Sequence, residues 1–136
     1  MRDVVAALKQ KGVQPSAQRV AVGRYVLSTH DHPTADEVFE RVRKSFPMIS
    51  RATVYNTLNL FVEKGLVARH SVEEGRMVFD SVVEPHHHFV DEETGRIHDV
   101  PWDALEVTRK QRLPGFDVRE VRVVLRGRRT RAAKAP

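Results

Sequence analysis

The sequence contains no cysteine, which excludes disulfides, thiolate zinc sites and thiol-based redox switches. Any metal must therefore sit on nitrogen and oxygen. The chain also lacks an apolar run near the roughly 20 residues needed to cross a bilayer, and its start, MRDVVAALKQKG, is too charged for a signal peptide. These absences point to a cytoplasmic protein with no membrane partner. Aromatics are sparse at 7%, with one Trp, but 40% of the 136 residues are hydrophobic. That is enough for one ordinary domain or two small ones, and it argues against general disorder.

Acidic residues are outnumbered 18 to 23 by Lys and Arg, and the imbalance is local. Residues 1–80 carry 12 basic and 9 acidic groups, residues 81–125 carry 6 and 9, and residues 126–136 carry 5 and 0. A polyanion would meet the front half and the end of the chain rather than the acidic middle.

Apolar spacing predicts four short helices followed by strands. VVAALKQKG is stopped by Gly12, and Ser16 caps SAQRVAVGRYVLSTH. Thr34 and Glu37 form a capping box at the start of TADEVFERVRKSF, whose buried stripe is Val38, Phe39, Val42 and Phe46 and whose end is set by Pro47. Ser50 caps SRATVYNTLNLFVEKG, closed by Gly65. The period then shifts to two: LVARHSV and RMVFDSV read as a hairpin turning at EEG. Helices followed by such a hairpin give the order of a winged helix-turn-helix, expected over 1–80, with a hinge at 81–85 where Pro85 interrupts pairing. Over 86–125, HHHFVDEETGRIHDV predicts a second hairpin turning at Thr94 and Gly95, WDALEVTRKQR a helix, and FDVREVRVVL a strand. The basic end, 126–136, is expected to be a disordered tail. The expected class is α+β, a winged helix-turn-helix followed by a small α/β domain.

On the fourth helix, Val54, Leu58 and Phe61 share one face and belong to the core. Arg51, Ala52, Tyr55, Asn56 and Asn59 share another, with Ser50 and Thr53 at its start. Amide side chains that can pair with adenine, groups that can meet a thymine methyl, and an Arg for phosphate or guanine are what a major groove requires. Double-stranded DNA is therefore the expected partner.

Four of the seven histidines lie between residues 80 and 100. Side chains alternate along a strand, so His86 and His88 face one way and His87 the other. That spacing makes a two-histidine chelate. Asp99 falls on the partner strand across the turn, and Asp80 ends the wing. Imidazole and carboxylate suit Fe²⁺ or Mn²⁺, and Zn²⁺ can occupy the same site.

HPTADEVFERVRKSFPMISRATVYNTLNLFVEKGLV resembles the DNA-binding half of the ferric uptake regulator family, and HHHF followed by GRIHDV resembles its dimerisation half. The likeness runs from about Leu8 to Leu125. It implies a homodimer on a palindromic operator, with Tyr55 on the recognition helix and Arg19 supporting backbone contact. Gln14 stands where many members carry a basic residue. In the peroxide-regulator branch the regulatory metal is held by three His and two Asp, matched here by His32, Asp80, His86, His88 and Asp99. Aspartate at position 80, where iron sensors of the family usually have Glu, implies peroxide sensing by iron-catalysed oxidation of a ligand histidine, with Met77 beside the site as a competing target. The family's structural zinc has no counterpart here: Asp91 and Thr94 replace the first Cys pair and the second is absent. His87 and His98 are left over, expected to face solvent in preference to joining a second site with Asp91, Glu92 or Glu106. The HHH run also resembles the haem-responsive iron regulators, which keeps haem as a lesser candidate ligand and iron or haem supply as an alternative signal. A non-haem iron enzyme is the remote alternative, with no substrate-pocket signature to support it.

Overall fold

The computed structural model describes residues 3–106 and 113–130. The chain divides into two compact units, Met1–Val83 and Glu84–Pro136, and its elements make it an α+β protein. Among the described residues no helix is long and apolar enough to cross a membrane.

The first unit holds α1 (Val4–Gln10), α2 (Ala17–Val26), α3 (Ala35–Val42), α4 (Arg51–Glu63), β1 (Ala68–Glu73) and β2 (Arg76–Asp80). Ser16, Thr34 and Ser50 each accept the backbone N–H three residues on, and Glu37 returns a bond to the Thr34 amide at 3.0 Å. Each such cap stabilises its helix by about 1 kcal/mol. Leu8, Val22, Val38, Val54, Leu58 and Phe61 are wholly buried in one cluster, so the apolar faces of all four helices close on a common core. Gly23 permits the approach of α1 to α2, because a Cβ there would stand 2.7 Å from Val4 Cγ1. The third helix is shorter than its apolar stripe suggests: it ends at Val42, and the amides of Ser45 and Phe46 both bond back to the Val42 carbonyl. Phe46 still packs on the core, from a turn rather than a helix. β1 and β2 pair antiparallel as the wing, with Ala68 opposite Asp80 and His70 opposite Val78.

In the second unit β3 (His87–Asp91) is the centre of a three-stranded sheet. β4 (Ile97–Val100) pairs antiparallel with it, and β5 (Val124–Gly127) pairs parallel with its other edge. Two expectations change. Only Trp102–Ala104 is helical, as one 3-10 turn, among the described part of the expected helix, while 107–112 lie outside the described residues. Residues 116–122 of the expected strand lie outside the strand, which runs from Val124 to Gly127 with the Val123 carbonyl accepting the His88 amide just before it. Alternation alone does not make a strand without a partner edge, and β3 offers an edge only five residues long. The described chain therefore stays ordered past the expected tail boundary at 126, and 131–136 lie outside the described residues.

Candidate metal and nucleic-acid sites

In the first unit, His32 precedes the capped start of α3 and Asp80 ends β2. Two bonds hold these segments together: the Phe79 amide donates to the Pro33 carbonyl at 2.8 Å, and the Ser81 hydroxyl to the Thr29 carbonyl at 2.7 Å. His32 is buried and adopts φ 52°, the left-handed region, although it carries a side chain. That conformation costs about 1–2 kcal/mol, and such strain accumulates where function requires it. Asp80 is also buried. Its Oδ1 accepts the Val82 amide at 2.9 Å, which turns Oδ2 towards two imidazoles: His32 Nε2 at 3.5 Å and His70 Nε2 at 3.6 Å. His70 is a member of this cluster that no sequence motif marks. The wing register was the available signal, since His70 and Asp80 stand on the same face one diagonal apart. The same alternation puts Met77 on the opposite face from Asp80, half-exposed, and so corrects its expected place beside the site.

In the second unit, His86 and His88 share a face, as strand alternation required, with their ring centroids 4.6 Å apart. Asp99 lies opposite His88 in the β3–β4 register. Its Oδ1 is 3.2 Å from His86 Nε2 and 4.0 Å from His88 Nε2, and one donor atom from each of the three lies within 4.8 Å of the others. His86 Nδ1 is 2.7 Å from the Glu84 carbonyl. A carbonyl can only accept, so Nδ1 carries the proton and Nε2 is the atom available to a metal. His86 Nε2 thus faces the Asp99 carboxylate oxygen, an arrangement that can hold a cation between them. Donors each about 2.1 Å from one ion sit about 3–3.5 Å apart, which the His32–Asp80 and His86–Asp99 separations match. Both pairs thus fit an N/O-ligated divalent ion.

His87 does not face solvent, which corrects the expectation for it. It is wholly buried, stacked on Trp102 at 4.6 Å and 17°, with Nε2 3.3 Å from the Trp102 carbonyl. An apolar partner on the other face of the sheet decides its burial, and no local pattern announced that partner. Asp91 and Thr94 tie the hairpin turn: Asp91 Oδ1 accepts the Glu93 amide and Thr94 Oγ1 the Arg96 amide.

Along α4, Arg51, Ala52, Tyr55, Asn56 and Asn59 are exposed on one side. Ser50 and Thr53 are occupied by the helix cap, the Ser50 hydroxyl donating to Thr53 Oγ1 at 2.9 Å. Arg19 donates to the Gln14 carbonyl at 2.9 Å and, with Asn56 and Thr53, lines an open cavity of about 440 Å³ between α2 and α4. Asn59 accepts from Arg69 of the wing at 3.2 Å. Arg51 and Tyr55 both bond one oxygen of Asp36, a residue the sequence reading did not single out. The hydrogen bond from Tyr55, then the Arg51 guanidinium, holds the Asp36 carboxyl below its ordinary range, and the same carboxylate pushes the Tyr55 phenol up.

Residues 10–126 match the ferric uptake regulator family. A peroxide-responsive repressor, PerR, from Staphylococcus aureus is 36% identical over 129 residues, covering 93% of this chain and 87% of the relative. The ferric uptake regulator of Vibrio cholerae superposes with a TM-score of 0.71 at 28% identity, covering 93% of this chain and 99% of that one. That of Pseudomonas aeruginosa, solved with manganese, superposes with a TM-score of 0.69 at 25% identity, covering 94% and 98%.

Proposed function

Since the chain belongs to the ferric uptake regulator family, whose members are transcriptional regulators, we propose that it is a metal-dependent, DNA-binding repressor that responds to peroxide. The carrying observation is a pair of His–Asp couples, His32–Asp80 with both members buried and His86–Asp99 with the imidazole buried and the carboxylate partly exposed, in a chain with no cysteine. His88 completes a set of three imidazoles and two carboxylates. This set suits Fe²⁺ or Mn²⁺ and admits Zn²⁺. The likeness to the S. aureus peroxide-responsive repressor favours peroxide as the signal.

His32, Asp80, His86, His88 and Asp99 would be the ligands of the regulatory ion, and its binding would switch the protein to its DNA-binding state. In that state a homodimer would present two α4 helices to a palindromic operator. Arg51, Ala52, Tyr55, Asn56 and Asn59 would face the groove, Arg19 the backbone, and Ser50 and Thr53 would present the helix start. Ferrous iron, when bound, supplies the electron that reduces peroxide. The chain's own part is to hold imidazole carbons within reach of that chemistry and to keep His86 in the tautomer that leaves Nε2 free to ligate.

The test is mass spectrometry after anaerobic loading with Fe²⁺ and a short H₂O₂ pulse, with Mn²⁺-loaded protein as control. An added oxygen on His32, His86 or His88 in the iron sample alone supports the proposal. Unmodified histidines with iron bound would reject peroxide and make metal or haem supply the signal.

A further inference from the structure

The Asp36 carboxylate stands between the two side chains of α4 best suited to reading DNA. It sits in the first turn of α3, and its Oδ1 accepts both from Arg51 Nη1 and from the Tyr55 hydroxyl, the latter at 2.7 Å. The Arg51 guanidinium carbon lies 4.5 Å over the Phe39 ring, a second contact that restrains the side chain. Arg51 and Asp36 are both more than half exposed, so this is a surface constellation reachable by a large partner. An isolated exposed ion pair contributes little to stability. Here the carboxylate ties together an Arg and a Tyr one helical turn apart that face the same way. Its effect falls on what those two groups are free to touch.

We propose that Asp36 is a specificity-determining positioning residue: it pins Arg51 and Tyr55 in one pose for base edges and cancels the Arg51 charge that would otherwise attach to any phosphate. The inference rests on the DNA-binding reading above and deepens it. Non-specific affinity grows with the number of phosphates a protein neutralises, whereas base readout needs a fixed donor geometry. A carboxylate bound to the interface Arg lowers the first and supplies the second. Random DNA must compete with Asp36 for Arg51. The correct site gains from a Tyr55 hydroxyl and a guanidinium already in place.

The experiment compares Mn²⁺-loaded wild type, Asp36→Asn and Asp36→Glu for binding to a duplex selected by the wild type from a random library and to a scrambled duplex, across a salt series. Freeing Arg51 for one more phosphate in each protomer of the dimer should raise affinity for the scrambled duplex about 60-fold at about 0.1 M salt and steepen its salt slope by about 1.8. The selected duplex should gain less or lose affinity, so the ratio of the two falls. Asp36→Glu should restore most of the ratio, because it returns a carboxylate. A second measurement reports the positioning directly: in a Tyr25→Phe background, alkaline titration of the remaining phenol should show Tyr55 ionising later than an ordinary tyrosine, and returning to the ordinary value in Asp36→Asn. An unchanged ratio, or equal loss on both duplexes with Tyr55 titrating normally after the change, overturns the role of Asp36 alone and leaves DNA binding standing. Wild type that selects no duplex overturns both readings.

Discussion

The left-handed backbone at His32 permits a test that separates strain from ligation. His32→Ala and His32→Gly both remove the imidazole and its 3.5 Å approach to Asp80. Only glycine also relieves φ 52°. An L side chain in that region costs about 1–2 kcal/mol, and glycine gives back about 0.4–1 kcal/mol through its larger freedom in the unfolded chain. The net expectation is that His32→Gly is more stable than His32→Ala by about 1 kcal/mol, or about 4 °C in Tm for a chain of this length. Thermal unfolding of both apo variants by circular dichroism reads the difference, and calorimetric Mn²⁺ titration should show the same loss of affinity in each. A His32→Ala variant as stable as His32→Gly would refute the assignment of strain at this position. Equal stability together with wild-type metal affinity would also remove His32 from the ligand set.

Further expectations concern the neighbouring groups. His70→Gln keeps an N–H near Asp80 Oδ2 and should retain more Mn²⁺ affinity than His70→Ala, for which a loss of about 10-fold is expected; equal affinities would detach His70 from Asp80. Asp80→Glu should preserve Mn²⁺-dependent DNA binding while blunting histidine oxidation by peroxide, and an undiminished oxidation yield would release Asp80 from that role. The Asp36 carboxyl has a folded pKa below its ordinary value, so its contribution to stability is present above about pH 3.9 and is lost as pH falls through the lowered value. Urea midpoints of wild type and Asp36→Asn should therefore differ at pH 7 and converge towards pH 3; divergence in acid would contradict the assigned direction.

What was legible in the sequence was local. The caps at Ser16, Thr34 and Ser50, the stripe of Val54, Leu58 and Phe61, and both hairpin turns depend on residues within a few positions of one another. The pairing of His86 and His88 on one face followed from strand alternation in the same way. The misses were non-local. His70 reaches Asp80 only through the wing register, and Asp36 reaches Tyr55 across two helices. His87 is buried by a tryptophan fifteen residues on. The C-terminal strand misled because its Val and charge alternation extends over ten residues while its partner edge accepts four.

The parallel attachment of β5 to β3 also sets an order of events in the life of the chain. The Glu92 amide bonds to the Gly127 carbonyl and the His88 amide to the Val123 carbonyl, so the strand carrying His88 stays an open edge until residue 127 has left the ribosome. The helical unit is encoded first, and domains generally fold as units in the order of their synthesis. A nascent chain would thus complete α4 well before it owned a finished sheet around His88. Truncation a few residues short of Gly127 would leave α4 intact and expose β3 as an unprotected edge, open to pairing with other chains.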